Sequence, residues 1–174
     1  MKQIKSSLII SAFLGLLLIA GSVWSQQSSS QEQNHHSGMS EMNKRGNQGM
    51  GFDQDKTTHH FFLTTSGGII QVAANSRDDK TSRDQIQMHL HHISHMFADG
   101  NFEIPMFVHD QTPPGVPEMK RLKDQISYTY EETDNGGRVV ISTKSQDAIK
   151  AIHDFLRFQI EQHHTGDSLE VKSL

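Results

Sequence analysis

Residues 59–74 read HHFFLTTSGGIIQVAA, two runs of β-branched and aromatic residues on either side of the pair Gly67-Gly68. This pattern is typical of a β-hairpin, and the paired glycines predict its turn. With a two-residue turn, four apolar side chains share one face of the hairpin: Phe61, Leu63, Ile70 and Val72. His59 then lies at the end of that face and His60 on the opposite one, unless the register slips by one residue and exchanges them.

A long helix should follow this hairpin. Its candidate N-caps are Asp79, Thr81 and Ser82, and Asp99-Gly100 ends it. Between these limits apolar residues recur with the helical period, which predicts a buried stripe formed by Ile86, Leu90, Ile93 and Phe97.

The same order returns downstream. Residues 126–142 read ISYTYEETDNGGRVVIS, and Asn135-Gly136 is a strong signal for a turn between two strands. Ser145 then caps a second helix. The predicted core stripe of that helix consists of Ile149, Ile152, Leu156 and Ile160.

Two strand–strand–helix units therefore follow one another. Between them, residues 102–123 suggest one short strand, Ile104–Val108, a Pro-rich loop and a short helix that starts near Pro117. The expected fold class is α+β: a mainly antiparallel sheet of four or five strands, with the two long helices on one face.

The amino terminus predicts export. Lys2 and Lys5 precede the uncharged apolar run 8–20, which is too short for a membrane span but suits a signal peptide over residues 1–25. The alternative is an uncleaved anchor, which would be the protein's one contact with a membrane. The expected location is the periplasm or the extracellular medium.

The remaining chain divides by composition. Residues 26–58 hold few large apolar residues and predict a disordered linker, whose last part, residues 50–52, docks on the domain. This linker carries potential copper ligands, namely His35, His36, Met39, Met42 and Met50; the alternative is that it is a solubilising tether. The folded domain is expected over residues 59–167, followed by a flexible tail over residues 168–174.

The composition restricts the chemistry. The chain has 12 histidines, 8 methionines and no cysteine, and its net charge is -4. Disulfides, thiolate metal sites and a cysteine nucleophile are therefore excluded. No basic run is present, so a nucleic-acid partner is not expected. Imidazole and thioether together favour copper first and zinc second.

The first helix concentrates candidate metal ligands. His89, His92 and Met96 follow a spacing of i, i+3 and i+7, so they form a stripe beside the core stripe. His91 and His95, at i and i+4, form another pair on the solvent side. The alternative is packing for the first stripe and a solvated face for the second pair.

Other histidines offer separate possibilities. His109 precedes Asp110 and a Pro-rich loop, which suits a ligand or a general base, although Asp110 could instead cap the backbone. His153 and His164 share a face of the second helix but lie roughly 16 Å apart, so they cannot both bind one ion. Each is alternatively a hydrogen-bonded boundary residue.

Several strings resemble a family of small exported bacterial proteins of unassigned activity: THHFFL, MHLHHI, IPMFVHDQTPPGVP, YEETDNGGRVVIS and IHDFLRFQIEQHHTGD. The resemblance covers residues 50–167. Some members carry a carbamoyltransferase label, but this chain is too short for one and lacks its phosphate-binding sequence. The resemblance implies six motif histidines: His60, His89, His92, His109, His153 and His164.

The sequence thus predicts a metal-binding protein for copper buffering, delivery or tolerance. Its candidate ligands are the six motif histidines and Met96. A non-catalytic adaptor that responds to pH is an alternative. A second alternative is an enzyme of unknown substrate in which His109, Asp110 and His153 supply a base, with or without a metal-bound water.

Overall fold

The computed structural model describes residues 40–173. The predicted signal peptide, and the part of the predicted linker that holds His35, His36 and Met39, lie outside these residues. Two 3-10 turns, Gln54–Lys56 and Lys123–Gln125, connect the longer elements. These elements are α1 (helical residues 40–50), β1 (Thr57–Thr64), β2 (Gly67–Ala74), α2 (Lys80–Ala98), α3 (Glu103–His109), α4 (Val116–Arg121), β3 (Ile126–Thr133), β4 (Gly136–Thr143) and α5 (Gln146–His163).

The four strands form one antiparallel sheet in the order β1-β2-β4-β3, and both long helices cover the same face. This confirms the α+β prediction and a four-stranded sheet. Asp79 and Ser145 cap α2 and α5 as expected. The predicted stripe of α2 is buried throughout, and that of α5 is buried except at Ile149, which is half-buried.

The sheet has an internal two-fold pattern centred on the paired residues Ile70 and Val139. The register of β1 with β2 repeats in β3 with β4, so that Phe61 pairs with Ile70 as Tyr130 pairs with Val139. Each helix packs mainly on the hairpin of the other unit, α2 on β3–β4 and α5 on β1–β2. Sheet and helices therefore show the repeated strand–strand–helix unit that the sequence predicted.

The glycine pairs do not form the turns, which corrects the prediction. The turn residues are Thr65-Ser66 and Asp134-Asn135, and each Gly-Gly pair begins the following strand. A Cβ on Gly68 would overlap the Leu156 side chain and lie 2.7 Å from the Phe62 carbonyl oxygen. The glycine is therefore required for the close approach of α5 to the sheet.

Residues 104–108 were predicted as a strand, and this prediction is wrong because they lie within α3. The Asn101 side chain accepts a hydrogen bond from the Glu103 backbone N–H at 2.9 Å, which starts the helix. Pro105 lies in the first turn, where a missing N–H costs little. Asp110 ends α3 in the left-handed conformation, with φ of 53°.

The linker was predicted to be disordered as far as residue 58, but the chain is already ordered from residue 40. Residues 40–50 form α1, and β1 begins at Thr57. Met42 and Phe52 are 7% and 3% exposed, and Arg45 Nε donates to the Val108 carbonyl oxygen at 2.8 Å. A few well-spaced apolar contacts thus order a largely polar segment. The burial of Phe52 also confirms the predicted docking of residues 50–52.

The predicted flexible tail is likewise attached to the domain. The Lys172 backbone N–H donates a hydrogen bond to the Leu63 carbonyl oxygen at 2.9 Å. The Lys172 carbonyl oxygen accepts a hydrogen bond from the Thr65 N–H at 3.1 Å. These bonds extend the end of β1, so the predicted flexible tail is attached to the domain at Lys172. Within residues 40–173, no helix is long and apolar enough to span a membrane.

Candidate functional site: a buried histidine cavity

A small cavity lies between α2, α3, α5 and the hairpin β1–β2. Its volume is about 50 Å³, and its lining is apolar apart from five side chains: His59, His89, His109, Gln159 and His163. One water needs roughly 10–15 Å³ by the same kind of measure. Pockets for drug-sized ligands span roughly 300–1,000 Å³. The space therefore suits an ion or a few water molecules.

His59 faces this cavity because it occupies the helix-covered face of β1, opposite Val72. The Phe52 ring stacks on the imidazole with a centroid distance of 5.9 Å. His59 Nε2 is fully buried and has no hydrogen-bond partner. A buried ring nitrogen in this state is uncommon and calls for a ligand or a water.

His109 is the last residue of α3, and its side chain reaches α5. Its Nε2 lies 2.9 Å from Gln159 Oε1. Because an amide oxygen only accepts hydrogen bonds, this geometry puts the proton on Nε2 and leaves the Nδ1 lone pair free. His109 Nδ1 is buried and has no partner. It is the second unpaired imidazole nitrogen of the cavity lining.

His163 joins the other two histidines. Its ring centroid lies 5.3 Å from that of His59, with nearly parallel planes, and 5.1 Å from that of His109, with perpendicular planes. His89 approaches from α2, and its ring is steeply inclined to the Phe52 ring, with a centroid distance of 5.4 Å. Four elements, β1, α2, α3 and α5, thus each deliver one imidazole to the same cavity.

Burial keeps this cluster uncharged. Desolvation, together with a smaller effect of the neighbouring His60, lowers the pKa of His59 to about 4. Desolvation also lowers the pKa of His89 to about 4 and that of His163 well below its ordinary value. The pKa of His109 is lowered by burial, against the opposing effect of Gln159. All four rings are therefore neutral at pH 7, the form that binds metal ions.

The internal repeat shows that the fold does not require histidine at these positions. The counterpart of His59 is Tyr128, since each occupies the same register position in its hairpin. The counterpart of His163 on α2 is Phe97, and the Phe97 and Tyr128 rings contact each other at 5.8 Å. Plain aromatic rings thus fill this position in one half of the domain, whereas the other half uses imidazoles.

A second cavity of about 270 Å³ adjoins the first. His59 and His163 line both cavities, and Met42, His164 and Thr165 also line the second. Met50 lines the inner one. The two stacked imidazoles therefore separate the buried cavity from a polar groove, and α1 contributes a methionine to each side.

Only two of the predicted ligands meet in the cavity, namely His89 and His109. His60 lies on the opposite face of the sheet, where its Nδ1 is 2.9 Å from Asp167 Oδ1. His153 Nε2 donates to the Thr64 carbonyl oxygen at 2.9 Å, so its role is that of a hydrogen-bonded core residue. Neither His60 nor His153 lines the cavity, so neither can share an ion with the cavity histidines.

The remaining predicted ligands also lie apart. His92 is exposed on α2, and Met96 packs against the core without lining the cavity. The stripe of His89, His92 and Met96 does not form one site, because His89 is turned inward beneath Phe52. His164 ends α5 in the left-handed conformation and lines the outer groove.

The sequence prediction omitted His59 and His163 from the site. Both had a signal, because His59 shares the strand period of the core residues Phe61 and Leu63. His163 lies two helical turns beyond Leu156, on the buried side of α5. What the sequence could not indicate is that α1 covers this region and encloses the cavity.

The described residues do not contain a complete multidentate site. Within residues 40–173, no three His, Asp or Glu side chains are grouped so that they could hold one metal ion. The lining of the inner cavity includes no carboxylate, and Asp110 is exposed at the end of α3 rather than in the cavity. The predicted pairing of His109 with Asp110 as a catalytic base is therefore not assembled.

The comparisons with known proteins give no further guidance. No protein-family model matches the chain, and neither a curated protein nor a solved structure is significantly similar to it. Functional interpretation consequently depends on the chemistry of the cavity.

Proposed function

We propose that this chain is an exported metal-binding protein that holds copper in the buried histidine cavity, for buffering, delivery or tolerance. The observation that carries this proposal is the presence of two unpaired, buried imidazole nitrogens, His59 Nε2 and His109 Nδ1, in the lining of an ion-sized cavity. Such atoms are costly to bury unless something binds them.

The ligand set favours copper over zinc. Neutral imidazole is a good ligand for both ions, and the thioether of Met50 in the same lining is a soft donor that suits Cu(I). Zinc is usually held by four ligands, or by three and a water. Cu(I) accepts two ligands. The absence of a three-residue group within residues 40–173 therefore argues for the ion with the smaller requirement.

The proposal is tested by measuring Cu(I) affinity under anaerobic conditions, in competition with a chromophoric chelator, on protein purified without a histidine tag. The key variant combines His59→Phe and His163→Phe, which copies the aromatic pair of the other half of the domain. It should fold, because Tyr128 and Phe97 already fill the equivalent positions. We expect its Cu(I) affinity to fall by at least roughly 100-fold.

Two control variants make the result specific. His60→Ala and His92→Ala remove imidazoles outside the cavity and should leave Cu(I) affinity unchanged. An affinity of the folded double variant equal to that of the parent protein would exclude the cavity as the copper site. Stronger retention of Zn²⁺ than of Cu(I) by the parent would overturn the choice of metal.

A second candidate function, a binding module that responds to pH, is favoured by the neutral state of the buried histidines. Protonation of His59, His89 and His163 at acid pH would place like charges in one cavity. Amide hydrogen exchange around α1 and α3 at pH 7 and pH 5 tests this reading. Unchanged protection of both helices at pH 5 would count against it.

A further inference from the structure

Two exposed histidines lie one turn apart on the solvent side of α2. The ring centroids of His91 and His95 are 4.8 Å apart, and the two planes are inclined by 65°. Residues at i and i+4 are neighbours on a helix surface, so their side chains can reach the same ion without a change of backbone. The pair lies within a regular helix of 19 residues, so its spacing is fixed.

Tyr130 on β3 contacts the first of these rings. Its ring meets that of His91 edge-on, at a centroid distance of 5.4 Å. The Tyr130 hydroxyl is buried and has no hydrogen-bond partner. The edge-on ring contact restricts the orientations of His91, and no hydrogen bond joins that imidazole to the hydroxyl.

We propose that His91 and His95 form a second metal site, a two-imidazole chelate at the surface for a divalent late transition-metal ion. Imidazole nitrogens bind Cu²⁺, Ni²⁺ and Zn²⁺, and among these ions Cu²⁺ binds most tightly to a given nitrogen site. With two protein ligands, the ion keeps open positions for water or for a ligand from another molecule. This site is independent of the buried cavity, whose proposed ion is Cu(I).

The experiment is a calorimetric titration of the purified, untagged protein with Ni²⁺, which lacks the redox chemistry of copper. The variants are His91→Ala, His95→Ala and the double variant. His92→Ala is the matched control, because His92 is also exposed on α2 but points in a direction about 100° away. An NMR spectrum of the backbone amides, recorded with a small amount of paramagnetic Cu²⁺, locates the bound ion through the signals that it broadens.

We expect either single substitution to weaken one class of Ni²⁺ sites by about tenfold or more, because the advantage of two linked ligands is lost. The double variant should lose this class of sites, because neither imidazole remains, and Cu²⁺ should broaden the amides of residues 91–95 in the parent protein. Equal binding by the parent and both single variants, or an equal loss in His92→Ala, would overturn the proposal.

The two metal proposals can fail separately. Both residues are exposed, so the alanine variants should retain the thermal unfolding temperature of the parent. They should also retain its Cu(I) affinity, whereas the cavity variant with His59→Phe and His163→Phe should retain its Ni²⁺ affinity. If an alanine variant proves unstable, His91→Gln and His95→Gln provide the same test with a side chain of similar polarity.

Discussion

The hydrogen bond between His109 and Gln159 decides which imidazole nitrogen is free in the cavity. Gln159 is 4% exposed and belongs to α5, whereas His109 ends α3. A neutral amide partner fixes the ring without favouring its charged form as strongly as a carboxylate would. The ring is thereby oriented and still neutral, which is the combination that a metal ligand requires.

The substitution Gln159→Glu should reverse this effect. A carboxylate in contact with His109 Nε2 favours the imidazolium, so we expect the pKa of His109 to rise above its value in the parent protein. A pH titration of the histidine ring protons by NMR measures this change. Cu(I) affinity at neutral pH should fall, because a protonated imidazole offers no free nitrogen.

Gln162→Glu is the matched control for this substitution. Gln162 is exposed and lies on the same helix, so the control adds the same charge away from His109. A pKa of His109 that is equal in the two variants and in the parent would show that the contact with Gln159 does not exist in solution.

At the scale of the elements, the second glycine of each Gly-Gly pair lets a helix pack closely against the sheet, once in each half of the domain. Gly68 admits Leu156 of α5 to the sheet, and Gly137 admits Leu90 of α2. The room for an added Cβ differs between these two glycines, however. A Cβ on Gly68 would overlap Leu156, whereas a Cβ on Gly137 would lie 2.9 Å from the Tyr130 ring and 3.2 Å from Leu90. The Cβ at position 68 would also meet backbone, the Phe62 carbonyl oxygen. The Cβ at position 137 would meet mainly the side chains of Tyr130 and Leu90, which can adjust.

We therefore expect Gly68→Ala to destabilise the domain more than Gly137→Ala. Overpacking of a close-packed core typically costs about 1–3 kcal/mol, and Gly68→Ala should lie in the upper part of that range. Chemical denaturation of the two variants and the parent measures the difference. Equal losses of stability would mean that the close approach of α5 to β2 is not as tight as described.

The same elements show what the sequence could predict. The two-residue period of His59, Phe61 and Leu63 specified the core face of β1, and helical periodicity specified the buried stripes of α2 and α5. Both patterns are local and regular. The turn positions were misassigned, because the glycines that are usual in turns are here needed in the strands that follow, for packing between layers.

The elements that were missed depend on tertiary contacts. The sequence of α3 is rich in β-branched and aromatic residues and resembles a strand, but the Asn101 side chain and Pro105 favour a helix. The polar helix α1 is ordered by Met42 and by the bond from Arg45 to α3. No period in the sequence reveals such contacts, and for that reason the histidine cavity could not be predicted as a whole.

At the scale of the whole molecule, the buried cluster makes stability depend on pH. In the unfolded chain His59 and His89 have the ordinary histidine pKa of about 6.5, whereas in the folded protein both pKa values are about 4. The folded pKa values are lowered, so the neutral rings favour folding above the unfolded pKa. This contribution declines as the pH falls from about 6.5 to about 4, because only the unfolded chain then takes up protons.

We expect the free energy of unfolding to fall by roughly 1.5 kcal/mol for each of these two histidines between pH 7 and pH 5. Urea denaturation at intervals of half a pH unit measures the decline. The variant that combines His59→Phe and His163→Phe should show a shallower decline, since two of the buried imidazoles no longer take up protons on unfolding.

The control for this experiment is His60→Phe, which removes an imidazole from the other face of the sheet. It should leave the steep decline between pH 7 and pH 5 in place, because His59, His89 and His163 remain buried. Carboxylates such as Asp167 have lowered pKa values and act at lower pH, so they do not account for a loss in this range. If the cavity variant were to keep the full decline, its source would lie outside the cavity, and the neutral cluster would lose its support as a feature of the folded protein in solution.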